Sequence, residues 1–432
     1  MAATGQRDAV PADIGARGGA GGFIRSPSLP FVVLLGITPA LAAAQFRAML
    51  PAVAIGFALV IAAHWRQRRS LPWPRPSAPL LLCAGLFGWA LLSISWSAEA
   101  RFGAGTALAL LGLLLLAAMA TRALAEDEAA HLRRVVPALV AGLGLGIALL
   151  AFDHASGNMF RLAIRGFPEW SERITFGLKP AVSVVALLLP ALLVLPGISR
   201  GTRAGLMVAG VIVALWLPGE SAKIAAIVGI AVAVMARAVP GLVSRLMAAG
   251  LALAVIAAPL AFSVVLSNAP DVSRLPASAA HRVLIWDFTA NRIAERPVLG
   301  WGMEASRSLP GSQDPFDQAT LRRFSLTQAE ERGAFWQVAQ RLPLHPHNGP
   351  LHIWLETGVV GAVLAAGLLA ALALAAGGLA SATPAALGAL ASGVVTGMLS
   401  FGIWQPWWIA STFLAAVTVS ALARLPGPPD RR

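Results

Sequence analysis

The chain has 432 residues, of which 57% are hydrophobic and only 12% are charged, and its mean hydropathy is +0.73. This composition lies far outside the range of soluble globular domains and predicts a protein embedded in a membrane. The formal net charge of +13 is scattered over the loops between apolar segments, which argues against a nucleic-acid-binding surface.

Twelve apolar stretches are candidates to cross a bilayer core of roughly 30 Å, so we predict an all-α polytopic membrane protein with about twelve transmembrane helices. The predicted spans are residues 30–44, 49–63, 79–95, 104–121, 135–152, 181–198, 204–217, 222–237, 242–267, 352–378, 385–403 and 407–423. With the N-terminus in the cytoplasm, most arginines between spans fall on the cytoplasmic side, as the positive-inside rule requires. Trp404, Trp407 and Trp408 are expected to form an aromatic belt at the membrane interface.

The spans divide the chain into five parts. A Gly- and Ala-rich composition predicts that the N-terminal tail is disordered, and charge places both tails in the cytoplasm. The predicted parts are a disordered cytoplasmic tail (1–28), transmembrane helices 1–9 (29–267), a large outer loop with an amphipathic helix (268–350), transmembrane helices 10–12 (351–424) and a cytoplasmic tail (425–432).

One outer loop breaks the charge rule. Residues 153–180 carry Arg161, Arg165, Arg173 and Lys179 on the side that should be poor in basic residues. An anionic ligand that arrives from the outer leaflet would explain them, and contact with lipid headgroups is the alternative. Arg161 and Arg165 are therefore candidate binding residues.

The long outer loop contains a predicted helix from His281 to Arg296, which Pro297 and Gly300 end. Its apolar stripe at helical spacing consists of Val283, Trp286, Ala290 and Ile293. We expect this amphipathic helix to lie along the membrane surface with its apolar side down. Residues 303–340 are expected to form a partly helical cap.

Two histidines and an asparagine, His345, His347 and Asn348, stand immediately before the tenth span. Imidazole and amide groups resist burial in hydrocarbon, so their presence here indicates a functional site, with a solvated loop as the alternative. A metal site made of His345, His347 and His352 is conceivable because imidazoles bind zinc, but the sequence offers no convincing carboxylate or cysteine ligand nearby.

Three motifs follow one another in the second half of the chain. They are Arg282-Val-Leu-Ile-Trp286, then Arg296-Pro297-Val-Leu-Gly300-Trp301-Gly302, then His347-Asn348 followed after nine residues by Gly358-x-x-Gly361. In their order, spacing and position relative to the spans, these motifs resemble the O-antigen ligase and O-antigen polymerase superfamily. The resemblance implies a bacterial inner-membrane protein of about twelve helices, with a large periplasmic loop between the ninth and the tenth.

The resemblance also implies transfer of a glycan from an undecaprenyl-diphosphate-linked donor to an acceptor hydroxyl in the periplasm, such as one on lipid A–core. His347 is then the catalytic residue, because the pKa of histidine suits it to activate the acceptor. Arg282 contacts the diphosphate, because a guanidinium can bind phosphate oxygens with two hydrogen bonds. The structural alternatives are that His347 caps loop backbone and that Arg282 pins its helix to lipid phosphates.

Further site residues are carried by the same resemblance. The family usually has an arginine near the outer end of a middle span, and Lys223 is predicted to replace it, with snorkelling to lipid headgroups as the alternative. His345 and Asn348 are expected to line the substrate site. No metal or other cofactor is expected, because the chain has no Asp-x-Asp motif and arginine can neutralise the diphosphate.

Two other functions stay open at this point. A polysaccharide polymerase would use the same chemistry with a second lipid-linked glycan as acceptor, and the short motifs do not separate it from a ligase. A transporter or flippase would move the lipid-linked glycan unchanged. Transporters of the commonest twelve-helix fold place their long loop between spans six and seven, where this chain has only Ser199 to Arg203, so the sequence argues against transport.

Overall fold

The structure is a computed structural model that describes residues 20–165, 177–326 and 335–425. Within these ranges every regular element is a helix, which confirms the all-α prediction. The first ten helices are α1 (Ala20–Arg25), α2 (Ser28–Gln45), α3 (Met49–Arg68), α4 (Ala78–Ser93), α5 (Ala100–Ala125), α6 (Ala129–Leu132), α7 (Val135–Ala155), α8 (Met159–Arg165), α9 (Leu178–Leu188, continued as a 3-10 helix over Leu189–Val194) and α10 (Arg200–Trp216). The others are α11 (Glu220–Ala238), α12 (Pro240–Ser267), α13 (Ala277–Glu295), α14 (Gln318–Arg323), α15 (Phe335–Val338), α16 (Gly349–Gly377), α17 (Thr383–Leu399) and α18 (Pro406–Leu422).

A helix occupies the position of each of the twelve predicted spans, which makes the chain a polytopic membrane protein. Eight of the described helical segments are long and apolar enough to cross a membrane, and α2 and α3 together form one of these segments. The apolar helices Leu178–Val194 and α18 are shorter. Twelve crossings therefore stay a prediction, while several crossings are clear.

The N-terminal tail differs from the prediction where the structure describes it. Residues 1–19 and 426–432 lie outside the described residues, but α1 is helical rather than disordered. Asp127 accepts hydrogen bonds from the hydroxyl and the backbone N–H of Ser28, at 2.5 and 3.1 Å. The guanidinium of Arg134 lies 4.3 Å from the ring centroid of Phe23. Residues 20–28 are thus held against the bundle by polar and cation–π contacts.

Small residues bring the helices of the bundle close together. Helices α11 and α17 pack so that a Cβ atom at Gly388 would lie 2.6 Å from the carbonyl oxygen of Gly229. In lipid, where apolar side chains gain little by leaving the solvent, close backbone packing of this kind supplies much of the attraction between helices. The many Gly and Ala residues of the spans therefore act as packing surfaces.

The predicted amphipathic helix exists as α13, and much of its apolar side packs against the protein itself. Leu284 packs in a cluster with Leu266 and Phe324, and Ile285 packs in another with Leu351. Val283 and Trp286 of the predicted stripe are only half-buried. Part of the apolar side is therefore covered by the protein's own helices and loop, and the position of α13 along the membrane surface stays a prediction. This packing fixes α13 above the start of α16.

Helix α16 is broken at Gly358, about two and a half turns after its first residue, Gly349. Gly358 has φ 62° and ψ −162°, a conformation that interrupts the helix and that residues with a side chain rarely adopt. The segment that begins at Pro297 crosses this break. Its Gly300, with φ 70°, approaches so closely that a Cβ atom there would lie 2.5 Å from the carbonyl oxygen of Glu356.

Hydrogen bonds from outside the helix replace those that the break removes. Backbone N–H groups of the crossing segment and one indole N–H donate to the last carbonyls before the break, and the first N–H after it donates to the crossing segment. The bonds are Trp301 N to Leu355 O (2.9 Å), Gly302 N to Glu356 O (2.8 Å), Trp89 Nε1 to Thr357 O (2.9 Å) and Val359 N to Pro297 O (2.9 Å). A broken helix inside a bilayer requires such partners, because hydrocarbon offers none.

Replacement of Gly358 by alanine should destabilise the protein strongly. A Cβ atom at this position would collide with the carbonyl of Val298 and the N–H of Gly300, and φ would stay in the left-handed region. We expect the free energy of unfolding to fall by more than about 2 kcal/mol, measured as a lower melting temperature in detergent. Gly367→Ala in the same helix is the control, because its Cβ atom would only touch Leu82 at 3.4 Å. Equal melting temperatures for the two variants would contradict this account.

Candidate active site

The predicted histidine motif forms the entrance to α16. Asn348 is the N-cap of the helix, and its side-chain oxygen accepts a hydrogen bond from the N–H of Leu351 at 3.1 Å. Pro350 occupies the first turn, where the missing N–H costs nothing. Asn348 is buried, so its clearest role is to begin the helix. A contact with substrate stays a prediction.

His347 has one ring nitrogen fixed and the other available. Its Nδ1 lies 2.9 Å from the carbonyl oxygen of Ser400, at the end of α17. Since a carbonyl can only accept, Nδ1 carries the proton, and the lone pair of the neutral ring lies on Nε2. No described residue forms a hydrogen bond with Nε2. His347 also has φ 53°, a strained conformation that is found mostly at turns and functional sites.

The surroundings keep His347 neutral. Burial is the largest cause, and it lowers the pKa of His347 to about 4 although the bond to Ser400 acts in the other direction. The positive charges of Arg282 and Lys179 lower this pKa further. At neutral pH the ring is therefore unprotonated at Nε2, which is the form that a general base requires.

His345 and His352 pack next to His347. The ring centroids of His345 and His347 lie 4.2 Å apart, and His345 stacks on His352 with the rings 13° from parallel and 6.0 Å apart. Nδ1 of His345 accepts the backbone N–H of His347 at 3.3 Å. Burial, with the charge of His347 next, lowers the pKa of His345 well below its ordinary value. Among the described residues, no group of three or more His, Cys, Asp or Glu could hold a metal ion.

Helix α13 presents Arg282 next to the histidines. Trp286 donates its indole N–H to the carbonyl of Pro346 at 2.9 Å, which ties the helix to the loop between His345 and His347. Arg282 lies one turn earlier on the same face. It is half-buried, burial lowers its pKa, and no described residue accepts a hydrogen bond from its guanidinium. The structure thus brings together Arg282, His345 and His347 as the sequence predicted.

Lys223 stands at the beginning of α11, but an acidic residue holds it. Its Nζ donates to Glu220 at 2.8 Å, and 23% of the side chain is exposed. Lys179, in the first turn of α9, is the lysine whose charge reaches both Arg282 and His347. Gly219 packs against the side chain of Lys179, so the two lysines border the same region. Lys179 is thus as strong a candidate for a ligand contact as Lys223.

Arg161 and Arg165 lie in a different environment. Arg161 is fully buried, and its Nε donates to Asp153 at 2.5 Å. Its side chain is therefore part of an internal ion pair between α7 and α8, and the predicted contact with substrate has no support. Arg165 donates to the carbonyl of Ala44 at 3.3 Å, while its Nη2 is buried without a partner among the described residues. Arg173, from the same predicted basic group, lies outside the described residues.

Glu356 is a buried carboxylate that the sequence reasoning missed. It has no exposed surface and lies in α16 directly before the break, four residues after His352. Five donors converge on its two oxygens. They are Glu304 N (2.6 Å), Ser306 N (3.1 Å), Ser306 Oγ (2.5 Å), His352 Nε2 (3.1 Å) and Trp404 Nε1 (2.6 Å). An acidic residue inside an apolar span was the signal that could have identified it.

Around Glu356 the loop and the helix ends are joined. His352 accepts the N–H of Ile403 on Nδ1 at 3.4 Å, so its Nε2 carries the proton that points to Glu356. Burial, and then the charge of Glu356, raise the pKa of Glu304. Trp404 is 2% exposed, and Trp407 and Trp408 are also buried. The predicted aromatic belt is therefore wrong, because these rings pack inside the protein.

Glu356→Gln should destabilise the hydrogen-bond network at the N-terminal part of α16. One carboxylate oxygen becomes an NH₂ group, which would face an N–H or O–H donor instead of accepting from it. Hydrogen bonds to a charged group contribute about 1.5–3 kcal/mol each, so we expect a loss of at least that size in stability, read as the melting temperature in detergent. Glu295→Gln, at a side chain 47% exposed in its pair with Arg292, should change stability by less than about 0.5 kcal/mol. Matching losses in both variants would disprove a special role for Glu356.

Comparison with known proteins gives the same family as the motifs. Residues 184–366 match the family model described as O-Antigen ligase. A protein of Rickettsia conorii named "Putative polysaccharide ligase RC0486" is 33% identical over 150 residues, which are 34% of this chain and 33% of that protein. Relatives with similar names in Rickettsia felis and Rickettsia prowazekii are 32% and 33% identical over 149 residues. Each match spans about a third of the relative's length. The resemblance to O-antigen ligases is thereby confirmed for residues 184–366, which contain Arg282, His347 and Glu356.

Proposed function

We propose that the protein is an inner-membrane glycosyltransferase of the O-antigen ligase type. It would transfer a glycan from undecaprenyl diphosphate to a hydroxyl of a periplasmic acceptor such as lipid A–core. The observation that carries the proposal is the pairing of His347, whose Nε2 is unprotonated and available, with Arg282, whose guanidinium has no partner among the described residues. This transfer requires a base that accepts the proton of the acceptor hydroxyl and, beside it, a cationic group that binds the leaving diphosphate.

In the proposed reaction the acceptor oxygen attacks the anomeric carbon of the donor sugar. The new C–O bond forms while the bond from that carbon to the diphosphate oxygen breaks, and the electron pair leaves with undecaprenyl diphosphate. Nε2 of His347 takes the proton of the acceptor hydroxyl, and the Nδ1–H bond to Ser400 holds the ring in the required tautomer. A single displacement of this kind inverts the configuration at the anomeric carbon.

Positive side chains stabilise the leaving diphosphate in this proposal. Arg282 would bind phosphate oxygens with two parallel hydrogen bonds, and Lys179 and Lys223 would add point charges. The charges of Arg282 and Lys179 also act on His347. The proposed mechanism is metal-independent, because these residues supply the charge compensation. We place the site on the periplasmic side and the termini in the cytoplasm, in line with the distribution of arginines along the sequence.

His347→Ala should abolish glycan transfer without loss of the folded protein. The variant removes the only proposed proton acceptor, so we expect a fall of at least about 100-fold in the rate at which purified protein releases undecaprenyl diphosphate. His347→Asn is the second variant, because asparagine tolerates the left-handed backbone of this position. His154→Ala, on α7, is the matched histidine control. Activity that persists in both His347 variants would contradict the assignment.

The pH profile of the same assay tests the role of His347 as a base. Because the pKa of His347 in the free protein is about 4, the ring is neutral above that pH, and kcat/KM should stay high down to about pH 5 and fall near pH 4. An acid limb near pH 6.5 would indicate a different base.

The assay in EDTA tests metal independence, since a strict requirement for a divalent ion would overturn it.

Arg282→Lys should reduce transfer much more than a conservative change elsewhere in the loop. Lysine keeps the charge but loses the planar, two-pronged contact with phosphate. We expect kcat/KM for the lipid-linked donor to fall by about tenfold or more, because one bidentate contact is lost in the transition state. Arg274→Lys is the control, because Arg274 is exposed in the same loop. Equal activity of the two variants would leave Arg282 without a role in the donor site.

Analysis of lipopolysaccharide from a deletion strain separates the two acceptors. Lipid-linked polymer of full length together with bare core identifies a ligase. Single repeats on the core identify a polymerase that uses a second lipid-linked glycan. A transporter or flippase would release no undecaprenyl diphosphate in the purified assay, and that result would overturn the proposal as a whole.

A further inference from the structure

A cavity of about 700 Å³ runs through the bundle between α4, α5, α16, α17 and α18. At one end it is lined by Gly349, Pro350 and Trp404, which lie beneath the histidine motif. At the other end it reaches Arg75 and Arg122, where α4 begins and α5 ends. Nearly all of the wall in between is apolar, and the volume lies within the range of about 300–1,000 Å³ of ligand pockets.

A second cavity of about 330 Å³ adjoins the end that is remote from the histidines. It shares wall residues with the first cavity, among them Thr121 and Ser420, and it adds Arg424. Three arginines therefore border this end, and among the residues that the structure describes no acidic residue lines either cavity. Arg122 is paired with Glu126, while the side chains of Arg75 and Arg424 are exposed and form no hydrogen bond with a described residue.

We propose that this end of the bundle binds an anionic phospholipid of the leaflet opposite the histidines. Its phosphate would lie among Arg75, Arg122 and Arg424, and an acyl chain would enter the apolar cavity. Guanidinium groups recognise phosphate oxygens, and basic pockets between transmembrane helices on the cytoplasmic side are known to bind lipid headgroups. The helices that the lipid would join include α16, so its occupancy would act on the helix that carries the active-site motif.

The distribution of charge favours this occupant over the polyprenyl chain of a donor. Arg282, which is proposed to hold the donor diphosphate, does not line this cavity. The lining residues at its histidine end, which are Gly349, Pro350, Ile403 and Trp404, carry no charge. All the arginines that line the cavities stand at the far end. An apolar cavity whose arginines lie at the end remote from the histidines fits a lipid whose headgroup lies in the leaflet opposite the histidines.

Native mass spectrometry of the full chain in detergent tests the proposal. Delipidated protein is titrated with dioleoyl phosphatidylglycerol or with dioleoyl phosphatidylcholine, which share acyl chains and differ in net charge. We expect at least tenfold tighter binding of phosphatidylglycerol by the unaltered protein. The triple variant Arg75→Ala, Arg122→Ala, Arg424→Ala should lose that preference. The control triple variant Arg200→Ala, Arg237→Ala, Arg245→Ala removes the same charge from exposed sites outside the cavities and should keep it.

A cavity-filling variant separates the chain site from the headgroup site. Gly393 lines the cavity, and a Cβ atom there would make only ordinary contact with Leu187 at 3.5 Å. Gly393→Leu should therefore fold and weaken phosphatidylglycerol binding severalfold. Equal binding of both lipids, or equal loss in the two triple variants, would show nonspecific lipid adhesion and overturn the proposal. Displacement of phosphatidylglycerol by undecaprenyl phosphate would assign the cavity to the carrier chain instead, which also overturns it.

Discussion

The structure depends on how the protein satisfies a broken backbone inside the membrane. A helix that is interrupted at Gly358 leaves carbonyl and N–H groups that hydrocarbon cannot satisfy. The segment from Pro297 to Gly302 supplies the missing partners from the large loop. Loop and helix thereby become one unit, because neither can move away without exposing unpaired backbone. The Gly-x-x-Gly part of the motif is therefore a structural requirement next to the site.

Glu356 extends this unit to the third component of the site, the turn between α17 and α18. Its five hydrogen bonds come from the loop, from His352 and from Trp404, so the carboxylate joins three parts of the chain. A buried carboxylate would be very unfavourable without such donors. The same turn supplies the carbonyl of Ser400 that orients His347. The tautomer of His347 is therefore tied to a network whose centre lies outside the predicted motif.

Features that show in the order of residues along the chain, such as apolar spans and polar groups next to them, could be predicted from the sequence. Features that depend on contacts between distant segments could not. Apolar length located a helix at each of the twelve predicted spans, and the spacing from His347 to Gly358 led to the candidate site. The left-handed Gly358 could not be predicted, because its reason lies in the approach of Gly300 from another segment. Arg161 was misread for a similar reason, since charge counting does not show that Asp153 is its partner. The predicted aromatic belt of Trp404, Trp407 and Trp408 was wrong because composition does not distinguish a lipid-facing ring from a buried one.

Electrostatics connects the two halves of the proposed site. The charges of Arg282 and Lys179 hold the pKa of His347 down in the free protein, after burial has lowered it. A base with so low a pKa is always unprotonated at neutral pH, but it attracts a proton only weakly. Arrival of an anionic diphosphate would neutralise the same two cations and so raise the pKa of His347. In the proposed reaction His347 would thus gain base strength when the donor is in place, which couples activation of the acceptor to the presence of the sugar it receives.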